Sequence, residues 1–202
     1  VSKSPELNFN PIEKYGGVGN AINWQEGYMV VMQHPVTTEY AEAKENVLTT
    51  LKVVHDLGIP TFWFWPNVDA GADGTSNGIR SYREIYKPEN IHFFKNMVPE
   101  DFLRLLINSK CLVGNSSVGI RECAYLGVPV VNIGTRQNGR ARGKNIVDVS
   151  YLENEIKSGI LNRIDANNGI PNDSIYGEGN SGEKIADILA EIKLRFHKII
   201  AY

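Results

Sequence analysis

Six short runs of β-branched and aromatic residues alternate with longer stretches of helical period, and this alternation leaves the chain very few architectures. The runs cover residues 28–33, 60–65, 91–94, 111–113, 128–133 and 145–149. Most are too continuously apolar for the resulting strands to have one face in water. Strands of that kind, separated by helices, predict an α/β fold: a Rossmann-like, doubly wound parallel sheet with helices on both faces. The 202 residues suffice for one such domain, expected over 26–202. Residues 1–25, with Gly16, Gly17 and Gly19 and few periodic apolar positions, read as a linker or the remnant of an inter-domain connection.

Two helices are legible in detail. The first places Tyr40, Ala43, Val47, Leu51 and Val54 on one stripe, has Thr37 or Thr38 available as N-cap, and stops at Gly58. The last begins near Ser181, carries Ile185, Ile188, Leu189, Ile192, Phe196 and Ile199 at three- and four-residue spacing, has Lys198 near its end, and is expected to close the domain.

Charge narrows the function classes. The formal net charge is −2 with acids and bases interspersed, so neither nucleic acid nor an acidic lipid surface is an expected partner. No apolar run is long enough to span a bilayer and the first residues lack a signal-peptide core, which reads as cytoplasmic. Cys111 and Cys123 sit in apolar segments, not at metal-ligand spacing, and are expected to be reduced packing residues. The opening on Val1 points to a domain cut from a longer protein, as a cleaved tag also would.

In an open parallel sheet, ligands bind where strands end and helices begin. The unusual residues of this chain stand there. Gln33-His34-Pro35-Val36-Thr37-Thr38 follows the first run, and a polar stretch from Pro66 through Asn67, Asp69 and Gly71 to Ser76 follows the second. After the fourth comes Gly114-Asn115-Ser116-Ser117-Val118-Gly119-Ile120-Arg121-Glu122, whose small residues let backbone amides approach an anion at a helix start. Simple helix capping by Asn115, Ser116 and Ser117 accounts equally well for those residue types. Glu122, about one and a half turns into that helix, is placed to accept both hydroxyls of a ribose, or is an ordinary exposed acid. After the fifth run comes the basic loop 134–142, in which Arg136, nearest the strand end, suits bidentate phosphate contact. His34 is a candidate phosphate donor or proton carrier, or else fixes the Pro35 turn. His55, His92 and His197 read as structural or surface residues, and Trp24, Trp63 and Trp65 as core packing. Neither the dinucleotide glycine fingerprint nor a P-loop occurs.

Taken in order, QHPVTT (33–38), PNVDAG (66–71), GNSSVGIRE (114–122), GVPVVNIGTRQNGRARGKN (127–145) and SIYGEGN (174–180) resemble the hydrolysing UDP-N-acetylglucosamine 2-epimerases of sialic and legionaminic acid pathways. The resemblance covers about residues 27–195 and implies the C-terminal, nucleotide-binding domain of a GT-B fold. It implies that His34 lies near the sugar and diphosphate as the catalytic residue of this half. Asn67 and Arg136 would hold the nucleotide, Ser116 and Ser117 the diphosphate, and Glu122 the ribose. It implies no cofactor and no metal, a UDP-sugar substrate, acids supplied by a missing N-terminal catalytic domain, and a homo-oligomeric whole protein. The substrate alternatives are UDP- or GDP-linked diacetylbacillosamine. A GT-B glycosyltransferase and a non-catalytic nucleotide-sugar sensor are the competing readings.

Overall fold

In the computed structural model, which describes residues 4–165 and 170–193, all six apolar runs form strands of one sheet. The strands are β1 (Val18–Gly19), β2 (Met29–Met32), β3 (Thr61–Phe64), β4 (Ile91–Phe94), β5 (Cys111–Gly114), β6 (Val130–Ile133) and β7 (Ile146–Val149). Their order is β1-β4-β3-β2-β5-β6-β7. Only the β1–β4 pair is antiparallel among the described strands. Outward from the adjacent β2 and β5 the chain winds in opposite directions, which makes the carboxyl ends of these two strands the topological switch point.

The helices are α1 (Pro11–Tyr15), α2 (Ala43–Leu57), α3 (Ala72–Tyr86), α4 (Pro99–Ile107), α5 (Ser117–Ile120), α6 (Glu122–Leu126), α7 (Glu153–Asp165) and α8 (Ser181–Glu191). Successive strand residues point to opposite faces, so each strand feeds two cores. Met29, Val31, Trp63, Phe93 and Val113 pack with Val47, Leu51 and Val54 of α2, Ile79 of α3 and Ile156 and Ile160 of α7. Val30, Phe62, Phe64, Phe94 and Leu112 pack with Leu105 and Leu106 of α4 and Cys123 of α6. Trp63 is fully buried, Trp65 packs beside it, and Trp24 borders the opposite core. Both cysteines are free and buried, and burial pushes the Cys111 thiol up to about 12 and the Cys123 thiol higher still, which makes them unreactive packing groups.

α3 escaped the sequence reading because Gly71, Gly74 and Ser76 look like a loop. It forms because its stripe of Thr75, Gly78, Ile79 and Tyr82 is buried. Gly78 is what lets it sit tightly on α2: a Cβ there would lie 2.6 Å from the Cγ1 of Val47.

Three expectations are corrected. Neither Thr37 nor Thr38 caps α2; Thr37–Glu42 form a 3₁₀ turn without a side-chain cap, and its tighter winding shifts the stripe, leaving Tyr40 exposed. α2 itself ends as expected, with Gly58 left-handed at φ 66°. α8 begins at Ser181, yet Ile185, Ile188, Leu189 and Ile192 are all exposed, so its described residues do not close the domain. The sheet is already covered on both faces by other helices. Phe196, His197, Lys198 and Ile199 lie outside the described residues.

The first 25 residues hold more structure than their glycines foretell. Asn10 caps α1, accepting from the amide of Ile12 at 3.0 Å. β1 adds to the sheet edge, and Ile22 is buried. The imidazole of buried His92 lies 2.9 Å from the carbonyl of Asn20 and 2.8 Å from that of Gly16, which ties the segment to β4. Irregular spacing of Ile12, Tyr15, Ile22 and Trp24 hid this from any periodicity argument.

Candidate functional site

At the switch point the loops leaving β2 and β5 run against each other, and Gly114 permits it. Its φ is +130°, and a Cβ there would lie 2.1 Å from the carbonyl oxygen of Met32. The amide of Asn115 donates to that carbonyl at 3.0 Å. The fully buried Asn115 side chain then clasps His34: its Oδ1 accepts from the His34 amide at 2.7 Å, and its Nδ2 donates to the His34 carbonyl at 2.8 Å.

From there a closed circuit runs through the loops after β3 and β6. The Asn67 amide donates to His34 Nδ1 at 3.1 Å, and Asn67 Nδ2 donates to Asp69 Oδ2 at 2.6 Å. Arg136 Nη2 donates to the same carboxylate oxygen at 3.1 Å, and its Nη1 reaches the Asn115 carbonyl at 3.4 Å. Gln137 Nε2 adds a bond to that carbonyl at 2.8 Å. Four loops are thereby held in one arrangement by His34, Asn67, Asp69, Asn115 and Arg136.

Beside this circuit lies an open cavity of about 680 Å³, lined among others by Thr37, Thr38, Asp69, Ser117, Arg136 and Arg140. Its volume falls within the range of small-molecule sites. The walls are polar, with two guanidiniums and the hydroxyls of Thr37, Thr38, Ser117 and Thr135. Glu39 hydrogen-bonds Thr135 across it. The carbonyl oxygens of the Gln137 and Asn67 side chains are buried without a protein partner among the described residues. Buried acceptors of this kind are usually satisfied, here by water or by a ligand that brings donors.

Burial, reinforced by the Arg136 charge and opposed by Asp69, pushes the His34 imidazole down to about 4. It is therefore neutral at pH 7, and because Nδ1 accepts from Asn67, the proton resides on Nε2, a hydrogen-bond donor. Hydrogen bonding from Asn67, then from Arg136, holds the Asp69 carboxyl below its ordinary value. Unfolded, His34 would take a proton near pH 6.5; folded, only near pH 4. The stability it contributes is therefore complete above about pH 6.5 and is lost as pH falls toward 4, in total about 3 kcal/mol. Denaturant midpoints of the wild type should fall through this window more steeply than those of His34→Gln. Parallel curves for the two proteins would contradict the assignment.

The structure brings His34, Asn67 and Arg136 together and places Ser117 in the cavity wall. Ser116 caps α5, accepting from the Val118 amide at 3.4 Å, and does not line the cavity. Glu122 is the first residue of α6, outside the cavity lining, and pairs with Arg121 at 3.5 Å. The single helix expected from Ser117 through Glu122 is broken at Arg121, where Asn145 Nδ2 takes up the Gly119 carbonyl that a continuous helix would use. In the sequence Asn115 reads only as a helix cap, and Asp69 and Gln137 carry no role. A buried Asn after a strand looks like any helix cap, and Asp69 and Gln137 are marked only by partners distant in sequence. No described helix is long and apolar enough to cross a membrane.

The family model for UDP-N-acetylglucosamine 2-epimerase matches residues 10–190. The UDP-N-acetylglucosamine 2-epimerase of Neisseria meningitidis is 35% identical over 126 residues, covering 62% of this chain and 32% of that protein. The hydrolysing UDP-N,N′-diacetylbacillosamine 2-epimerase of Legionella pneumophila is 29% identical over 165 residues, covering 82% and 43%. The chain thus spans less than half the length of these relatives. Among solved structures, the UDP-GlcNAc 2-epimerase of Methanocaldococcus jannaschii in complex with UDP-GlcNAc and UDP matches with a TM-score of 0.64 at 13% identity, over 91% of this chain and 49% of that one. At such identity the likeness speaks for the fold, that of the C-terminal domain of a GT-B protein. With its family match spanning nearly the whole described domain, this chain belongs to the UDP-N-acetylglucosamine 2-epimerase family.

Proposed function

We propose that this chain is the nucleotide-binding half of a hydrolysing UDP-N-acetylglucosamine 2-epimerase. The observation that carries the reading is the cavity at the switch point, where Arg136, Arg140 and Ser117 line a space large enough for a nucleoside diphosphate and Arg136 is joined through Asp69 and Asn67 to the neutral His34. α5 has only four residues, so the guanidiniums and hydroxyls, more than a helix dipole, supply the attraction for phosphate. In the proposed reaction the C2 proton of the sugar is removed, UDP leaves anti to it to give a glycal, and water adds to release the free 2-epimeric sugar. This half stabilises the charge that grows on the departing diphosphate, with donors already in place before the bond breaks. His34 Nε2–H donates toward the sugar–phosphate junction, Asn67 and Arg136 hold the nucleotide, and Ser117 meets the diphosphate; Ser116 and Glu122, which lie outside the cavity lining, would meet only parts of the ligand that extend beyond it, Ser116 the diphosphate and Glu122 the ribose hydroxyls. The carboxylates that move the C2 proton belong to an N-terminal domain outside this stretch, so the stretch alone is expected to turn over no substrate.

Calorimetric titration with UDP and GDP tests the reading. UDP should be preferred, and Arg136→Ala and Glu122→Ala should each weaken it about tenfold or more, the loss of a charge-assisted hydrogen bond. Absence of binding, or binding indifferent to both substitutions, would remove the proposal. The Legionella relative makes UDP-N,N′-diacetylbacillosamine the second substrate to try.

A further inference from the structure

Resting on that reading of the cavity, we propose that Asp69 is a positioning residue for phosphate recognition: it fixes the Arg136 guanidinium so that the donors it leaves free face the ligand. A carboxylate in the wall of a cavity meant for a polyanion needs a reason. Repulsion would favour its absence, unless what it does for a neighbour outweighs the repulsion.

Asp69 touches that neighbour directly. Its Oδ2 accepts from Arg136 Nη2 at 3.1 Å and is itself anchored by Asn67 Nδ2 at 2.6 Å. Arg136 is otherwise held at this end by a long contact to the Asn115 carbonyl, 3.4 Å. Of its five N–H donors these contacts engage two, so phosphate can be received without displacing Asp69. The Asp69 side chain is 40% exposed and that of Arg136 only 24%. Water at the carboxylate screens its repulsion of a bound diphosphate, whereas the more enclosed guanidinium gains its direction from the pair. Positioning therefore outweighs repulsion.

This ordering has a signature. Asp69→Asn keeps an acceptor for Arg136 and removes the charge; Asp69→Ala removes both. In titrations of the chain with UDP, Asp69→Asn should bind within about threefold of wild type or slightly tighter, and Asp69→Ala about tenfold more weakly. Asp69→Ser, too short to reach the guanidinium, should repeat the alanine result and serves if the alanine variant folds poorly. In the Arg136→Ala background, Asp69→Ala should cost nothing further, a non-additivity that general damage to the fold would not produce. Tighter binding by both Asp69→Asn and Asp69→Ala would make Asp69 a competitor for Arg136 and overturn the proposal. So would wild-type affinity in Asp69→Ala, or losses that add. If UDP binds neither wild type nor Arg136→Ala, the site reading falls and the role of Asp69 with it; equal binding to wild type and Arg136→Ala, or loss in Arg136→Ala alone with Asp69→Ala unaffected, overturns only the role of Asp69.

Discussion

Replacing Asn115 with alanine is expected to lower the stability of the fold by about 2–6 kcal/mol, read from the shift of the urea midpoint at unchanged slope. Its side chain satisfies both the amide and the carbonyl of His34, at 2.7 and 2.8 Å, from a fully buried position. Alanine leaves two backbone groups facing each other across a small void, each unsatisfied group costing about 1–3 kcal/mol. The loss reaches beyond stability. Asn115 is the link through which the β2 loop meets the β5 and β6 loops, so UDP binding should weaken in the same variant. A shift below about 1 kcal/mol for Asn115→Ala would mean that the loops hold their places without this clasp.

Gly114→Ala is expected to be comparably damaging for a different reason. Nothing polar is lost; a methyl group is driven to 2.1 Å from the Met32 carbonyl oxygen and 2.6 Å from its carbonyl carbon. Backbone cannot step aside as a side-chain tip can, so β2 and β5 must separate where they pair, at Met32 and Gly114. The left-handed φ adds about 1–3 kcal/mol and the overpacking a similar amount, about 2–6 kcal/mol in total. Thermal melting of the variant alongside Gly139→Ala separates the two contributions: Gly139 also has positive φ, but an added Cβ would meet nothing within 4 Å. Equal losses in the two variants would show that φ strain alone matters, and the close approach of β2 and β5 would lose its claimed importance.

The sheet was legible because buried parallel strands must be apolar on both faces, and runs such as 28–33 and 60–65 meet that demand with little else to confuse them. The ligand edge was legible for a related reason: once the strands were known, His34, Asn67, Ser117 and Arg136 stood at their carboxyl ends. What stayed hidden depends on contacts between distant residues. α3 depends on Gly78 settling against Val47, and in sequence its glycines argue for a loop. Asp69 and Asn115 are small polar residues in polar stretches, and only the meeting of loops separated by tens of residues gives them partners. The apolar stripe of α8 reads as a core face, and no local signal distinguishes it from a stripe that the described domain leaves exposed.

Backbone amide shifts of the isotopically labelled chain, followed during titration with UDP, ask directly where the nucleotide sits. The largest changes are expected at residues 116–119, 135–138 and His34, around the cavity at the carboxyl ends of β2 and β5. Changes centred instead on a separate cavity at the amino ends of β3 and β4, lined by Ile22, His55, Pro60, Lys87 and Asn90, or no changes at all, would contradict the assignment of nucleotide binding to this site.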